Sequence, residues 1–260
     1  MPNAERDLLQ DFAVIRARTF IKKGEEVFIS YLPVGHGHAE RQEFFAPIFE
    51  KGICPCKVCE LDRLDGKEKV ALRHKILEEE LLPHRQRSQL GVPPSDEEGA
   101  KANGELLPIL ARLESTYSSS RGSLRPELSD IYHRISTNSA PTPIHLRQEA
   151  VDYRLKGFES AGAKFERKGT EIKVVVPPVQ VRTHLDPVAL CLLTSCTYLQ
   201  VLPKDTAACL SWIQAAVDME KLLRQGTFAS VRQRHSGLLK SLKIVTLYNE
   251  AEKLSLRRKQ

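Results

Sequence analysis

Gly24-Glu25-Glu26-Val27-Phe28-Ile29-Ser30-Tyr31, then Glu40-Arg41, then Cys54-Pro55-Cys56-Lys57-Val58-Cys59 make up the stretch of this 260-residue chain on which its fold turns. Gly24 and the acidic pair after it read as a turn, because glycine accepts the positive φ that other side chains resist. Val27 to Tyr31 is β-rich and predicts a short strand, and Phe12 to Ala17, with β-branched Val14 and Ile15, predicts its antiparallel partner in a hairpin. Beyond the loop from Pro33 to His38, Phe44, Phe45, Ile48 and Phe49 fall at helical offsets within Ala39 to Phe49, and Gly52 follows where a left-handed terminator belongs. The cysteines come immediately after this helix, so they are held against the core and not carried on a free loop.

Three soft thiolates within six residues can converge on one zinc ion at about 2.3 Å each. Cys54, Cys56 and Cys59 are half of the six cysteines, and in an intracellular chain such crowding favours metal ligation over disulfides. No nearby cysteine supplies a fourth ligand. His36 and His38 are the nearest histidines, either as ligands or as solvent-exposed loop residues. Cys191, Cys196 and Cys209 lie in apolar helical patterns and read as buried packing thiols.

Working outward, Val70, Ile76, Leu77 and Leu81 form an apolar stripe on a helix from Lys67 to Leu82 that should end at Pro83. Gly91 to Gly104, with two prolines, three glycines and hardly an apolar residue, reads as an exposed loop. Helices follow near Glu105–Tyr117, Pro126–Ile135, Ile144–Ala161, Asp186–Leu202, Asp205–Gln225 and Phe228–Leu242. Pro187 and Asp205 look like starts, Gly162 and Gly226 like stops, and Ile172 to Val176 is a strand or an extended insert. Tyr117, Tyr132 and Trp212 fall on apolar helical faces, which places them in the core. The expected class is α+β, mostly α: a β-hairpin, a Cys-rich segment, and a helical-repeat-like or bundle domain without a strict repeat period.

The composition agrees with a folded chain that has flexible parts. The apolar fraction is 41% and the charged fraction 28%, ordinary values for soluble proteins. A formal charge of +6 arises from 39 Lys and Arg dispersed among 33 acidic residues, which argues for solvated surface and against a nucleic-acid footprint. The cluster from Lys253 to Lys259 reads as a frayed helix end. Val188 to Leu202 is too short and too polar to span a bilayer, and no basic flank precedes an apolar run at the N-terminus. The expectation is an intracellular protein of nucleus or cytoplasm, without membrane contact.

The quoted stretch resembles the SET-to-post-SET junction of SET-domain protein lysine methyltransferases. A Gly-Glu-Glu turn, a short strand ending in tyrosine, a helix with Glu-Arg near its start and Cys-x-Cys-x2-Cys occur here in that order and spacing. The likeness is greatest to the fungal SET proteins and the SMYD-like branch, in which a helical region follows. The resemblance divides the chain into the C-terminal portion of SET (1–50), a post-SET-like zinc segment (51–66) and a helical domain (67–260) with a flexible loop near 91–104.

That resemblance implies methyl transfer from S-adenosylmethionine to a lysine of a histone or non-histone protein. It makes Tyr31 catalytic, its hydroxyl orienting the amine in a narrow channel; the plainer alternative is a strand-end tyrosine packed on the core. It places Cys54, Cys56 and Cys59 on zinc. The family motif Asn-His-Ser-Cys-x-Pro-Asn is matched only in its last three positions, by Met1-Pro2-Asn3. The Asn-His pair that contacts S-adenosylmethionine, the cofactor strand and the cysteine completing the zinc site are therefore missing from the sequence. The expectation is little or no cofactor binding and no activity by this chain, with cofactor-binding residues unassigned. The competing expectation is a non-catalytic scaffold whose helical domain holds a partner peptide.

Overall fold

The computed structural model describes residues 3–9, 12–17, 20–29, 31–32, 37–48, 54, 56–87, 95–139, 147–178, 186–201 and 206–257. Among them the chain is mostly helical, with two separate two-stranded antiparallel sheets. The first sheet corrects the expected hairpin. Phe12–Ala17 is a strand (β2), but its partner is Ala4–Leu9 (β1), in register from Ala4 opposite Ala17 to Leu9 opposite Phe12. Two residues join β1 to β2, so their pairing closes a far shorter loop than pairing with Val27 would. The described residues of the Val27 segment form no strand; they lie instead against the start of β1. The Ala4 N–H donates to the Phe28 carbonyl at 3.0 Å, and the Phe28 N–H donates to Asn3 Oδ1 at 2.7 Å.

Gly24 takes φ +87° in the expected turn, closed by the Glu25 N–H donating to the Lys22 carbonyl at 2.9 Å. The predicted helix after the loop is α1 (His38–Phe45), started by a capping interaction in which the Gly37 N–H donates to Glu40 Oε2 at 3.1 Å. Gly52 and His36 lie outside the described residues. Next come α2 (Lys57–Asp65) and α3 (Lys67–Lys75).

The helix begun by α3 does not end at Pro83. It passes through a π-helical segment (Ile76–Leu81), in which the Leu82 N–H reaches back five residues to the Leu77 carbonyl, into α4 (Leu82–Arg87). Pro83 falls immediately after the π-helical turn, at the second residue of the new α-segment. The expected loop at 91–104 is also corrected: α5 spans Asp96–Ser115. Ser95 and Glu98 form a capping box, with the Glu98 N–H donating to Ser95 Oγ at 3.4 Å and the Ser95 N–H donating to Glu98 Oε2 at 3.0 Å. Three acidic residues in the first turn add a favourable interaction with the helix dipole. Positions 91–94 of the expected loop lie outside the described residues.

Then follow α6 (Leu128–Ser139), α7 (Arg147–Ser160), a hairpin of β3 (Lys164–Lys168) with β4 (Glu171–Val176), and α8 (Pro187–Val201), α9 (Thr206–Arg224), α10 (Phe228–Ser241) and α11 (Val245–Arg257). Ile172 to Val176 is thus a strand. Cross-helix hydrogen bonds show that neighbours run antiparallel: Ser129, at the start of α6, donates to the Gly157 carbonyl near the end of α7, and Arg154, earlier in α7, donates to Thr137 near the end of α6. The same reversal joins α8 to α9, through Ser195 with the Cys209 carbonyl and Arg224 with Asp186. The Gly226 stop works by space and not by φ. Gln225 carries the positive φ of 55°, whereas a Cβ on Gly226 would meet Glu220 Cγ at 2.5 Å.

Two apolar cores result. One gathers Leu77, Leu81, Leu106, Leu113, Ile131 and Ile135 from the π-helical segment, α5 and α6. The larger gathers Phe158, Val174, Leu192, Trp212, Ile213 and Tyr248 from α7, β4, α8, α9 and α11. Helix α6 is buried along its whole length. Tyr117, Tyr132 and Trp212 are buried as expected, and so are the thiols of Cys191, Cys196 and Cys209. Among the described residues no helix is long and apolar enough to cross a membrane.

Candidate metal centre

The sulfur atoms of Cys54, Cys56 and Cys59 all lie within 4.8 Å of one another, and among the described residues no other cluster of potential ligand side chains does so. A tetrahedral zinc–thiolate site needs sulfurs about 3.8 Å apart, so slight closure would bring all three onto one ion. Local structure explains the convergence. Cys56 is the N-cap of α2, with the Cys59 N–H donating to its sulfur at 3.5 Å, and one helical turn carries Cys59 back over it. Cys54 is set by its N–H donating to Gln42 Oε1 at 3.3 Å and by Arg63 donating to its carbonyl at 3.1 Å. Cys54 and Cys59 are buried, and Phe45 of α1 packs over all three.

The thiols already share charge as a ligand set does. A hydrogen bond from the Cys59 thiol, opposed by burial, pulls Cys56 down to about 5, while the same bond and burial push Cys59 up. Burial also raises Cys54. Metal binding would release the protons that the thiols carry. Around them, Arg41 Nε and Gln42 Nε2 each donate to the Cys59 sulfur at 3.4 Å. Such outer hydrogen bonds fix a ligand's orientation.

His38 is not part of the cluster. Its Nδ1 faces Asp62 Oδ2 at 3.6 Å, and burial lowers its pKa. The described residues thus bring three ligands together, all sulfur.

Arg41 connects this centre to a buried ionic network that the sequence did not disclose. The Asp62 side chain has no exposed surface and accepts from three guanidinium groups: Arg41, Arg73 at 2.8 Å and Arg121 at 2.6 Å. Asp65 accepts from Arg73 and Arg121, each at 2.6 Å, and from the Ser118 N–H at 3.0 Å. Burial works against the Asp65 carboxylate, but these donors outweigh it and hold its pKa below the ordinary value. Arg73 stacks on Tyr117, 3.7 Å from the ring centroid, and the Tyr117 hydroxyl donates to Glu127 at 2.9 Å. Three arginines meet three carboxylates, the balance a dry ionic cluster requires. Glu40-Arg41 was singled out in the sequence; Asp62, Asp65, Arg73, Arg121 and Glu127 were not, because up to 86 residues, from Arg41 to Glu127, separate the partners.

Tyr31 lies beyond the outer face of this centre. Its ring meets Phe45 edge-on at 6.3 Å between centroids, with the Arg6 guanidinium 5.7 Å from the Tyr31 centroid. It is about half exposed, at 52%. Asn3, also missed as a site residue, is buried and joins the two ends of the stretch, donating to the Glu26 carbonyl at 2.8 Å while accepting from Phe28. No family model matches the chain, and neither curated proteins nor solved structures give a match.

Proposed function

We propose that this chain is the C-terminal part of a SET-type protein-lysine methyltransferase, with zinc on Cys54, Cys56 and Cys59 and with Tyr31 beside the methyl-transfer channel. The observation that carries the reading is the convergence of the three sulfurs under the helix that bears Glu40-Arg41. Two details add support. Asn3, the last residue of the partial family motif, clamps the Gly-Glu-Glu turn, and Tyr31 stands one aromatic layer from the thiols.

In this chemistry a neutral lysine amine attacks the methyl carbon of a sulfonium, the N–C bond forming as the C–S bond breaks, a neutral thioether leaving and the methylated nitrogen giving up a proton to water, so the protein contributes alignment and exclusion of bulk water. S-adenosylmethionine supplies the electrophilic methyl. The Tyr31 hydroxyl orients the amine, and its apolar ring forms one wall. The exposed Val27, Phe28 and Phe44 side chains form a surface that the remainder of a SET domain would cover. Cys54, Cys56 and Cys59 would hold a structural zinc that ties the segment before α2 to its first turn, the surface on which Phe45, and through it Tyr31, packs.

The experiment is calorimetry of the purified chain with S-adenosylmethionine, together with the same titration on a chain extended through Asn-His-Ser-Cys. Saturable binding only by the extended chain is the expected result; no binding by either would reject the methyltransferase reading. An alternative reading, a helical interaction scaffold, is favoured by one observation: an open groove on the helical body, remote in sequence from the cysteines.

A further inference from the structure

Cys56-Lys57-Val58-Cys59 is a pair of cysteines one helical turn apart as well as part of a set of three. Cys56 is the N-cap of α2 and Cys59 its third residue, so helical rise and radius place their Cα atoms about 5 Å apart. That is inside the Cα separation a disulfide spans, and the two sulfurs already lie within 4.8 Å of each other. Both are free thiols. Side-chain rotation, without unwinding of α2, would bring the sulfurs to the bonded distance of about 2.0 Å.

The three sulfurs are not equally placed. Cys56 is half-buried, whereas Cys59 is wholly buried and Cys54 nearly so. A reagent from solvent therefore meets Cys56 first. The Cys59 N–H donates to the Cys56 sulfur at 3.5 Å, which favours negative charge on the attacking atom. Behind it, the Cys59 sulfur accepts from Arg41 Nε and Gln42 Nε2, each at 3.4 Å, and these donors favour charge there once its proton has left. Cys54 is the less suited partner. Only Pro55, with its fixed φ, separates it from Cys56, and the Cys54 N–H and carbonyl are tied to Gln42 and Arg63.

We propose that in the metal-free chain Cys56 and Cys59 form a reversible dithiol–disulfide couple that reacts with small disulfides, Cys56 attacking and Cys59 resolving. The Cys56 thiolate attacks one sulfur of the small disulfide; a new S–S bond forms, the old one breaks and a thiolate leaves. Cys59 gives its proton to that thiolate, and its own sulfur then attacks Cys56. The mixed disulfide breaks, and the second leaving thiolate takes up the proton that Cys56 had given to water. Two cysteines are thereby oxidised by two electrons, and the small disulfide is reduced to two thiols. The bridge withdraws two of the three zinc ligands, so oxidation and metal binding exclude one another on these sulfurs. The couple uses the same sulfurs as the proposed zinc centre but needs neither zinc nor methyl transfer.

The test uses the whole chain, stripped of metal by a chelator and incubated with glutathione disulfide, with intact mass and a peptide map read over time. Expected is a product lighter by two hydrogen atoms, with Cys56 joined to Cys59, and its reversal by excess reduced glutathione. Cys59→Ser should instead retain glutathione on Cys56. Cys56→Ser should react at least about tenfold more slowly, because its remaining thiols are buried. Absence of reaction, lasting glutathione on Cys56 of the unaltered chain, a bridge through Cys54, or an undiminished rate in Cys56→Ser would overturn the proposal. If Cys59→Ser does not fold, Cys54→Ser decides: it should keep the bridge, and loss of the bridge overturns the couple. Zinc uptake by a chain that forms no bridge sinks the couple and spares the metal centre; a bridge in a chain that takes up no zinc does the reverse.

Discussion

The segment before the cysteines and the helical body after them solve the burial problem in opposite ways. In the first, Phe20, Val27, Phe28, Phe44 and Ile48 remain exposed, Phe20 at 86%, around a two-stranded ribbon. In the second, Trp212, Ile213, Leu192 and Tyr248 are almost wholly buried. A two-stranded ribbon has too little surface to enclose an apolar core, whereas antiparallel helix pairs enclose one between them. The cysteine centre lies at the seam, and a balanced ionic network, beside a small apolar contact of Val58 with Ala161, fastens it to the body. The folding free energy is thus concentrated in the body, while the exposed apolar surface, where docking is expected, is most concentrated in the first segment.

The largest break in this contrast should come at the seam. Asp62→Ala leaves three guanidinium groups short of a buried acceptor, and removal of one partner from such a cluster costs about 3–5 kcal/mol. Chemical denaturation should show that loss, and a loss below about 1 kcal/mol would mean that the seam is held another way. Within the body, Leu113→Ala should cost about 3 kcal/mol by loss of burial plus the cavity left behind. Its denaturation midpoint should fall without a change in slope.

Acid should separate two contributions. His133 is fully buried, and burial holds its pKa well below 6.5, so the unfolded chain takes up a proton that the folded chain refuses. Stability from this source is intact above about pH 6.5 and declines below it. Asp65, with a lowered pKa, contributes in full above about pH 4 and loses its contribution as pH falls through its folded value. Denaturation midpoints measured from pH 8 to 3 should therefore fall in two phases, and His133→Leu should flatten the upper one.

A smaller effect, about 1 kcal/mol, is expected for Ser95→Ala, which removes the cap of α5. The smallest is Phe20→Ser in the exposed segment, which should leave stability within about 0.5 kcal/mol. A larger loss there would show that Phe20 is covered in solution.

What could be read in the sequence follows the range of the interactions. Helices α7 to α10 were legible because an apolar stripe and its terminators lie within one short stretch. The β1–β2 pairing was not, because Ala4-Glu5-Arg6-Asp7 is too charged to signal a strand and Phe12 to Ala17 found the nearer partner. Helix α5 was hidden by its polar first turns, although Ser95-x-x-Glu98 was the available sign. The cysteine cluster was legible because its ligands lie within six residues. The arginines that anchor it were not, since nothing local marks Arg73 and Arg121 as partners of Asp62.

The most direct test of the central claim is the metal content of the purified full chain by mass spectrometry, for the unaltered protein and for Cys56→Ser. About one zinc per chain, abolished by the substitution, is the predicted result. A folded, metal-free protein whose far-ultraviolet spectrum and stability do not respond to added zinc would contradict it.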